Sequence, residues 1–214
     1  MLSLAAGLLL GLLLGVRHAL EPDHLAAVSV LVTRRGNPAG GVVLGAAWGL
    51  GHSLALLGVG CVLAALGARL PPRLAAVFEL LVAVMLMTLG ARALLRARSR
   101  SPVTPHRHEH SSRWTMARQP FVVGLIHGLA GSGALTALAV AGLPTPMTRL
   151  IYMGLFGLGS VAGMACLTGI AGWPLARLGA CGKMSRRLSL ATGALSIVLG
   201  LVWGWAAVHV VASG

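Results

Sequence analysis

The chain has 214 residues, of which 57% are hydrophobic and only 10% charged, and its mean hydropathy is +0.86. Soluble domains carry nearer a quarter charged residues, so the composition excludes a soluble domain and implies an integral membrane protein. The formal charge of +13 does not indicate nucleic acid, because the arginines fall in short runs between apolar stretches and the aromatic residues that would stack on bases amount to 4%.

Taken in chain order, the apolar stretches predict an all-α, polytopic membrane protein with six transmembrane helices, at 2–32, 41–67, 73–95, 120–143, 147–176 and 187–211. The first stretch, "MLSLAAGLLLGLLLG", has no basic region before it and reads as a span rather than a cleaved signal peptide. The first and fifth stretches are long enough to be bent or broken. Arg34–Arg35–Gly36–Asn37–Pro38, Pro71–Pro72, Pro144–Thr145–Pro146 and the basic segment from Lys183 to Arg187 punctuate the chain. These breaks predict a first three-helix half over 1–95, an Arg- and His-rich cytoplasmic loop over 96–119 and a second three-helix half over 120–214. Placing both termini on the extracytoplasmic side puts Arg34, Arg35, the arginines of 92–118 and the basic residues of 177–187 inside. Only Arg69, Arg73 and Arg149 then lie in outer loops, which is the expected bias.

The two halves resemble each other. "GVRHALEPDHLAAV" from Gly15 lies over "GLIHGLAGSGALTA" from Gly124, so Gly15, His18 and Leu20 match Gly124, His127 and Leu129. "WGLGHS" from Trp48 lies over "FGLGSV" from Phe156, and Leu89–Gly90 over Leu199–Gly200. Three spans per half bring the second copy in from the opposite side, a 3+3 inverted repeat of the kind that places transporter sites at mid-membrane on broken helices.

The first span holds Arg17, His18, Glu21, Asp23 and His24 within "GVRHALEPDHLAAV". An ionisable group at the centre of a membrane costs about 2.5–3.5 kcal/mol on insertion scales and is functional by default. An internal Arg17–Glu21 pair is the structural alternative, and it leaves two histidines and a second carboxylate unexplained. On an unbroken helix His18 and His24 would point about 120° apart. Pro22 cannot donate to the carbonyl of His18, so the helix is expected to break at 18–22 and turn His18 towards Asp23 and His24. Imidazole and carboxylate together suit nickel, cobalt, zinc or copper rather than calcium or magnesium. A proton relay is the other use of such residues. His52 in "GLGHS" and His127 in "GLIHGLAG" are the further intramembrane histidines that could join them, or be hydrogen-bonded packing residues. Glu21 and the loop histidines His106, His108 and His110 are secondary candidates.

"RHALEPDHLAAV" resembles the H-x4-D-H signature of the nickel/cobalt transporter (NiCoT) family, with His18, Asp23 and His24 at its fixed positions. Leu50, Gly51, His52 and Ser53 match a second family element around L-G-H-S. "GLIHGLAGSGAL" and the overall length are similar to the compact, six-span UreH-type membrane proteins associated with urease maturation. This resemblance implies a non-enzymatic protein of the bacterial cytoplasmic membrane. It would carry Ni²⁺ or Co²⁺ across the bilayer as substrate, with no permanent cofactor, through His18, Asp23, His24, His52 and His127. Urease or hydrogenase metal-delivery proteins are the partners it implies. Two rival readings stand beside it. Cys61 and Cys166 occupy equivalent spans, as in DsbD/CcdA-type transmembrane thiol-electron carriers, although Cys61, Cys166 and Cys181 show no C-x-x-C spacing. The other rival is an accessory subunit for metal delivery that transports nothing itself.

Overall fold

The structure is a computed structural model describing residues 2–32, 38–66, 70–99, 113–129, 145–179 and 182–212. All regular structure among these residues is helical: α1 (Leu2–His18), α2 (Pro22–Val32), α3 (Pro38–Ala65), α4 (Pro72–Arg98), α5 (Arg113–Leu129), α6 (Pro146–Gly179) and α7 (Gly182–Ala212). Four segments are long and apolar enough to cross a membrane among the described residues: Gly40–Leu63 in α3, Pro72–Arg98 in α4, Met147–Ala171 in α6 and Arg186–Ala212 in α7. Their outer faces expose large apolar side chains such as Leu54, Leu81, Leu158 and Leu201, as lipid requires. The chain is an integral membrane protein.

The first predicted span is broken where the sequence places the break, into the two helices α1 and α2. Pro22 has no N–H for the carbonyl of His18, and Glu21 N–H donates to that carbonyl instead, at 3.1 Å. Leu20 N–H likewise donates to Arg17 O at 2.9 Å, so α1 ends in a tightened turn. The His18 carbonyl is therefore occupied rather than freed, contrary to the simplest expectation from a proline break. Pro22 then serves as the first residue of α2, where its fixed φ suits a helix start. The fourth predicted span is described only as far as Leu129, and 130–143, with the "GLAGSGA" segment, lies outside the described residues.

The predicted loop at 96–119 is shorter than expected at both ends. The helix α4 continues through Arg96 and Arg98, and α5 begins at Arg113, because Arg, Ala, Met and Gln sustain a helix beyond the apolar core. His106, His108 and His110 lie outside the described residues.

Glycines set the helix crossings. A Cβ on Gly15 of α1 would collide with the carbonyl oxygen of Phe156 on α6, and one on Gly124 of α5 with that of Trp48 on α3. Small residues let backbones approach this closely in membranes. In the same way Gly159 meets Leu12 and Gly51 meets Phe121. Residue numbers rise together along both contacts, so α1 runs parallel to α6 and α3 parallel to α5. They run oppositely where α3 meets α6, from Gly41 against Thr168 to Gly60 against Met153. The helices α4 and α7 are also antiparallel, with Gly90 against Gly193 and Gly200 against Ala83. Ser196 adds an interhelical bond, its hydroxyl donating to Leu86 O at 2.8 Å. The short helix α2 lies among α3, α4, α6 and α7. It places Ala27, Val28 and Val30 in a core with Trp48, Leu86 and Met164.

Candidate functional site

His18, Asp23, His24, His52 and His127 are all buried, and the structure brings them together. His18 is the last residue of α1, and Asp23 and His24 lie in the first turn of α2. His52 comes from the middle of α3 and His127 from the last turn of α5. The break at 19–21 makes this possible: the His18 and His24 ring centroids are 4.4 Å apart, where a continuous helix would point them away from each other. The His24 and His127 rings are equally close, at 4.4 Å, and His52 lies 4.9 Å from His18 and 5.2 Å from His24. The cluster sits at the mid-depth of the Gly40–Leu63 span, which His52 bisects.

The two carboxylates determine how the imidazoles face when they are neutral. Asp23 accepts from His127 Nε2–H at 2.6 Å through Oδ2, and from His24 Nδ1–H at 3.1 Å through Oδ1. Glu21 Oε2 lies 3.0 Å from His18 Nδ1, an electrostatic contact that favours the proton on that nitrogen. That leaves His18 Nε2 as an acceptor, and His52 Nε2–H donates to it at 2.9 Å. A neutral imidazole has one donor and one acceptor nitrogen, so the remaining lone pairs fall on His24 Nε2, His52 Nδ1 and His127 Nδ1. Those three nitrogens are buried and have no hydrogen-bond partner among the described residues. Buried polar atoms are ordinarily satisfied, and three orphaned imidazole lone pairs fit a soft-to-borderline cation.

Two groups of ligand-bearing side chains have the compactness a metal ion requires. They are His18, His24 and His52, and Asp23, His24 and His127, each with ligand atoms within 4.8 Å of one another. His24 belongs to both. A carboxylate behind an imidazole fixes its tautomer and orientation, which is the part Asp23 plays towards His24 and His127 here. Glu21 is more than a secondary candidate in position: its side chain is 38% exposed while His18 beside it is 4% exposed. It therefore joins the buried cluster to the outside of the helix bundle. Glu21 pairs with His18 rather than in the Arg17–Glu21 arrangement considered from the sequence.

Sequence reasoning missed the walls of the site. Trp48, fully buried, stacks on His24 with ring centroids 5.4 Å apart, and Phe156 lies 5.4 Å from His18. Their signal was present, since Trp48 and Phe156 occupy matching places in the two related segments. Ser160 takes the place matching His52, is fully buried, and donates to Gly15 O at 3.3 Å.

Cys61 and Cys166 are both exposed. Cys61 adjoins the Gly60–Met153 contact and Cys166 the Gly45–Met164 contact, at opposite ends of the α3–α6 crossing. The separation of about 24 Å along the helices is far beyond disulfide reach. Cys181 lies outside the described residues.

No family model matches the chain, and no solved structure matches it. Among curated proteins, the urease accessory protein UreH of Bacillus sp. (strain TB-90) is 31% identical over 201 residues, spanning 91% of this chain and 88% of that protein. With that identity over nearly its full length, the chain belongs to the UreH family of urease accessory proteins.

Proposed function

We propose that the protein carries a divalent transition-metal cation, Ni²⁺ or Co²⁺, across the bacterial cytoplasmic membrane. The observation that carries this reading is the buried cluster of four histidines and Asp23, with three imidazole lone pairs left without a partner among the described residues. Burying so many polar groups at mid-membrane is costly unless they serve a ligand. Asp23 and Glu21 together supply two negative charges, which balance a dication in a low-dielectric setting. The cation is substrate, and no permanent cofactor is part of the reading. Urease accessory function in the relative fits nickel as cargo, with metal-delivery proteins for urease as the downstream partners.

The shared position of His24 suggests how an ion moves. A cation held by His18, His24 and His52 passes to Asp23, His24 and His127 by exchanging the other ligands while His24 stays bound. Entry to the first group displaces the His18–His52 hydrogen bond. The loop histidines His106, His108 and His110 are assigned a collecting role outside the membrane core.

The architecture assigned to this function is six spans in a 3+3 inverted repeat, with both termini extracytoplasmic. Its support is the matched crossings, Gly15 on Phe156 with Gly124 on Trp48, and Gly159 on Leu12 with Gly51 on Phe121. The helix directions agree, since α3 and α6 run oppositely, as do α4 and α7. The orientation rests on the distribution of arginines. The exposure and separation of Cys61 and Cys166 speak against the thiol-electron carrier.

Reconstitution of the purified chain into proteoliposomes with an internal metal indicator tests the transport reading. Saturable Ni²⁺ or Co²⁺ entry, absent from empty liposomes, is expected. Metal binding by the same preparation without entry would replace transport with an accessory, metal-holding role.

A further inference from the structure

Away from the histidine cluster, α4 and α5 enclose a cleft of about 390 Å³. Its two ends differ in chemistry. Arg92 of α4 and Arg118 and Gln119 of α5 line one end and are exposed. Met85, Leu89 and Val123 close the other end and are buried. From Met85 to Arg92 is about 10 Å along the helix. The cleft therefore grades from donor-rich to apolar, as the bilayer does from headgroup to acyl chain.

The guanidinium charge at the mouth has no carboxylate to meet it among the described residues. Glu21 pairs with His18, and Asp23 with His24 and His127. Glu79 lies on α4 about 20 Å from Arg92 along the helix. Guanidinium groups match phosphate oxygens with forked donors, and two of them from adjacent helices can hold one phosphodiester. A free phosphate would satisfy the arginines and leave the apolar floor uncovered. A zwitterionic lipid would bring a cationic headgroup against two arginines, with no acidic side chain among the described residues lining the cleft to receive it. We propose that this cleft binds an anionic phospholipid, its phosphate between Arg92 and Arg118 and an acyl chain along Met85, Leu89 and Val123. Basic clefts between transmembrane helices are suited to such headgroups.

The test is native mass spectrometry of the full chain in detergent, titrated with phosphatidylglycerol and phosphatidylcholine of identical acyl chains. Wild type is expected to retain phosphatidylglycerol in preference. Arg92→Gln and Arg118→Gln should each reduce that preference about fivefold, the contribution expected of one basic side chain at an anionic surface. Together they should bring the two lipids close to parity. The Lys pair, Arg92→Lys with Arg118→Lys, keeps the charge and should keep part of the preference. Arg73→Ala, at the other end of α4, should change nothing. Equal retention of both lipids by wild type, or an unchanged preference in the double Gln variant, would overturn the proposal. Displacement of phosphatidylglycerol by millimolar inorganic phosphate would also overturn it, and would make the cleft a site for free phosphate.

Discussion

Asp23 holds two histidines from different helices through its two oxygens, at 3.1 Å to His24 and 2.6 Å to His127. Asp23→Asn keeps the shape but offers one acceptor oxygen and a donating amide, so one of the two imidazoles must change tautomer or turn away. The substitution also removes one negative charge from beside the cation. Losing an orienting carboxylate typically lowers metal affinity about 10–100-fold, and loss of charge adds to this. Equilibrium dialysis with Ni²⁺ on purified Asp23→Asn should show weakening of at least that order, and wild-type affinity would remove Asp23 from the site. The residue scale was partly legible beforehand. H-x4-D-H displays its own chemistry, whereas the tautomers depend on neighbours 34 and 104 residues away, and no local pattern encodes them.

The element that matters most is the interruption between α1 and α2. Its cause was readable, because Pro22 denies a donor to His18 whatever the tertiary context. Its detail was not, since the carbonyl was free to be solvated, to bind a ligand or, as found, to accept from Glu21 N–H. Pro22→Ala restores the missing donor and favours one continuous helix, which would carry His18 away from His24 without removing any ligand. Ni²⁺ affinity should fall while membrane abundance holds, and an unchanged affinity would mean that packing alone maintains the break. The crossings make a second prediction. Gly124→Leu drives a side chain into the Trp48 backbone, where no flexible group can yield. Overpacking of this kind costs about 1–3 kcal/mol or more, so thermal unfolding in detergent should shift downward. Gly7, which has nothing within 4 Å of an added Cβ, is the control position. Equal melting of Gly124→Leu and Gly7→Leu would contradict the close crossing. Helix existence was evident from hydropathy, but helix ends were not. Arg96, Arg98 and Arg113 are helical although their charge marks them as loop residues, because arginine is a good helix former once outside the lipid.

At the scale of the whole molecule, the aligned glycines made the pairing of α1 with α6 and of α3 with α5 inferable in principle. Gly15 and Gly124 matched in sequence, and both lie against a backbone carbonyl in the structure. The neighbourhood of α4 and α5 had no such signal, so the Arg92–Arg118 cleft was invisible before the fold was known. Orientation rests on arginine counts and can be checked directly. A cysteine introduced at Ser111, on a background lacking Cys61, Cys166 and Cys181, should resist membrane-impermeant maleimide in intact cells and react once they are permeabilised. Labelling in intact cells would reverse the topology.

The central claim is that the buried His/Asp cluster binds the cation, and His24 is its most exacting point because both ligand groups contain it. The measurement is Ni²⁺ binding per folded molecule for wild type, His24→Ala, His18→Ala and His127→Ala, each normalised to membrane abundance. His24→Ala should abolish binding, whereas His18→Ala and His127→Ala should each leave a weakened site built on the other group. If His24→Ala accumulates normally and binds Ni²⁺ as wild type does, the cluster is a packing feature and the cation is held elsewhere.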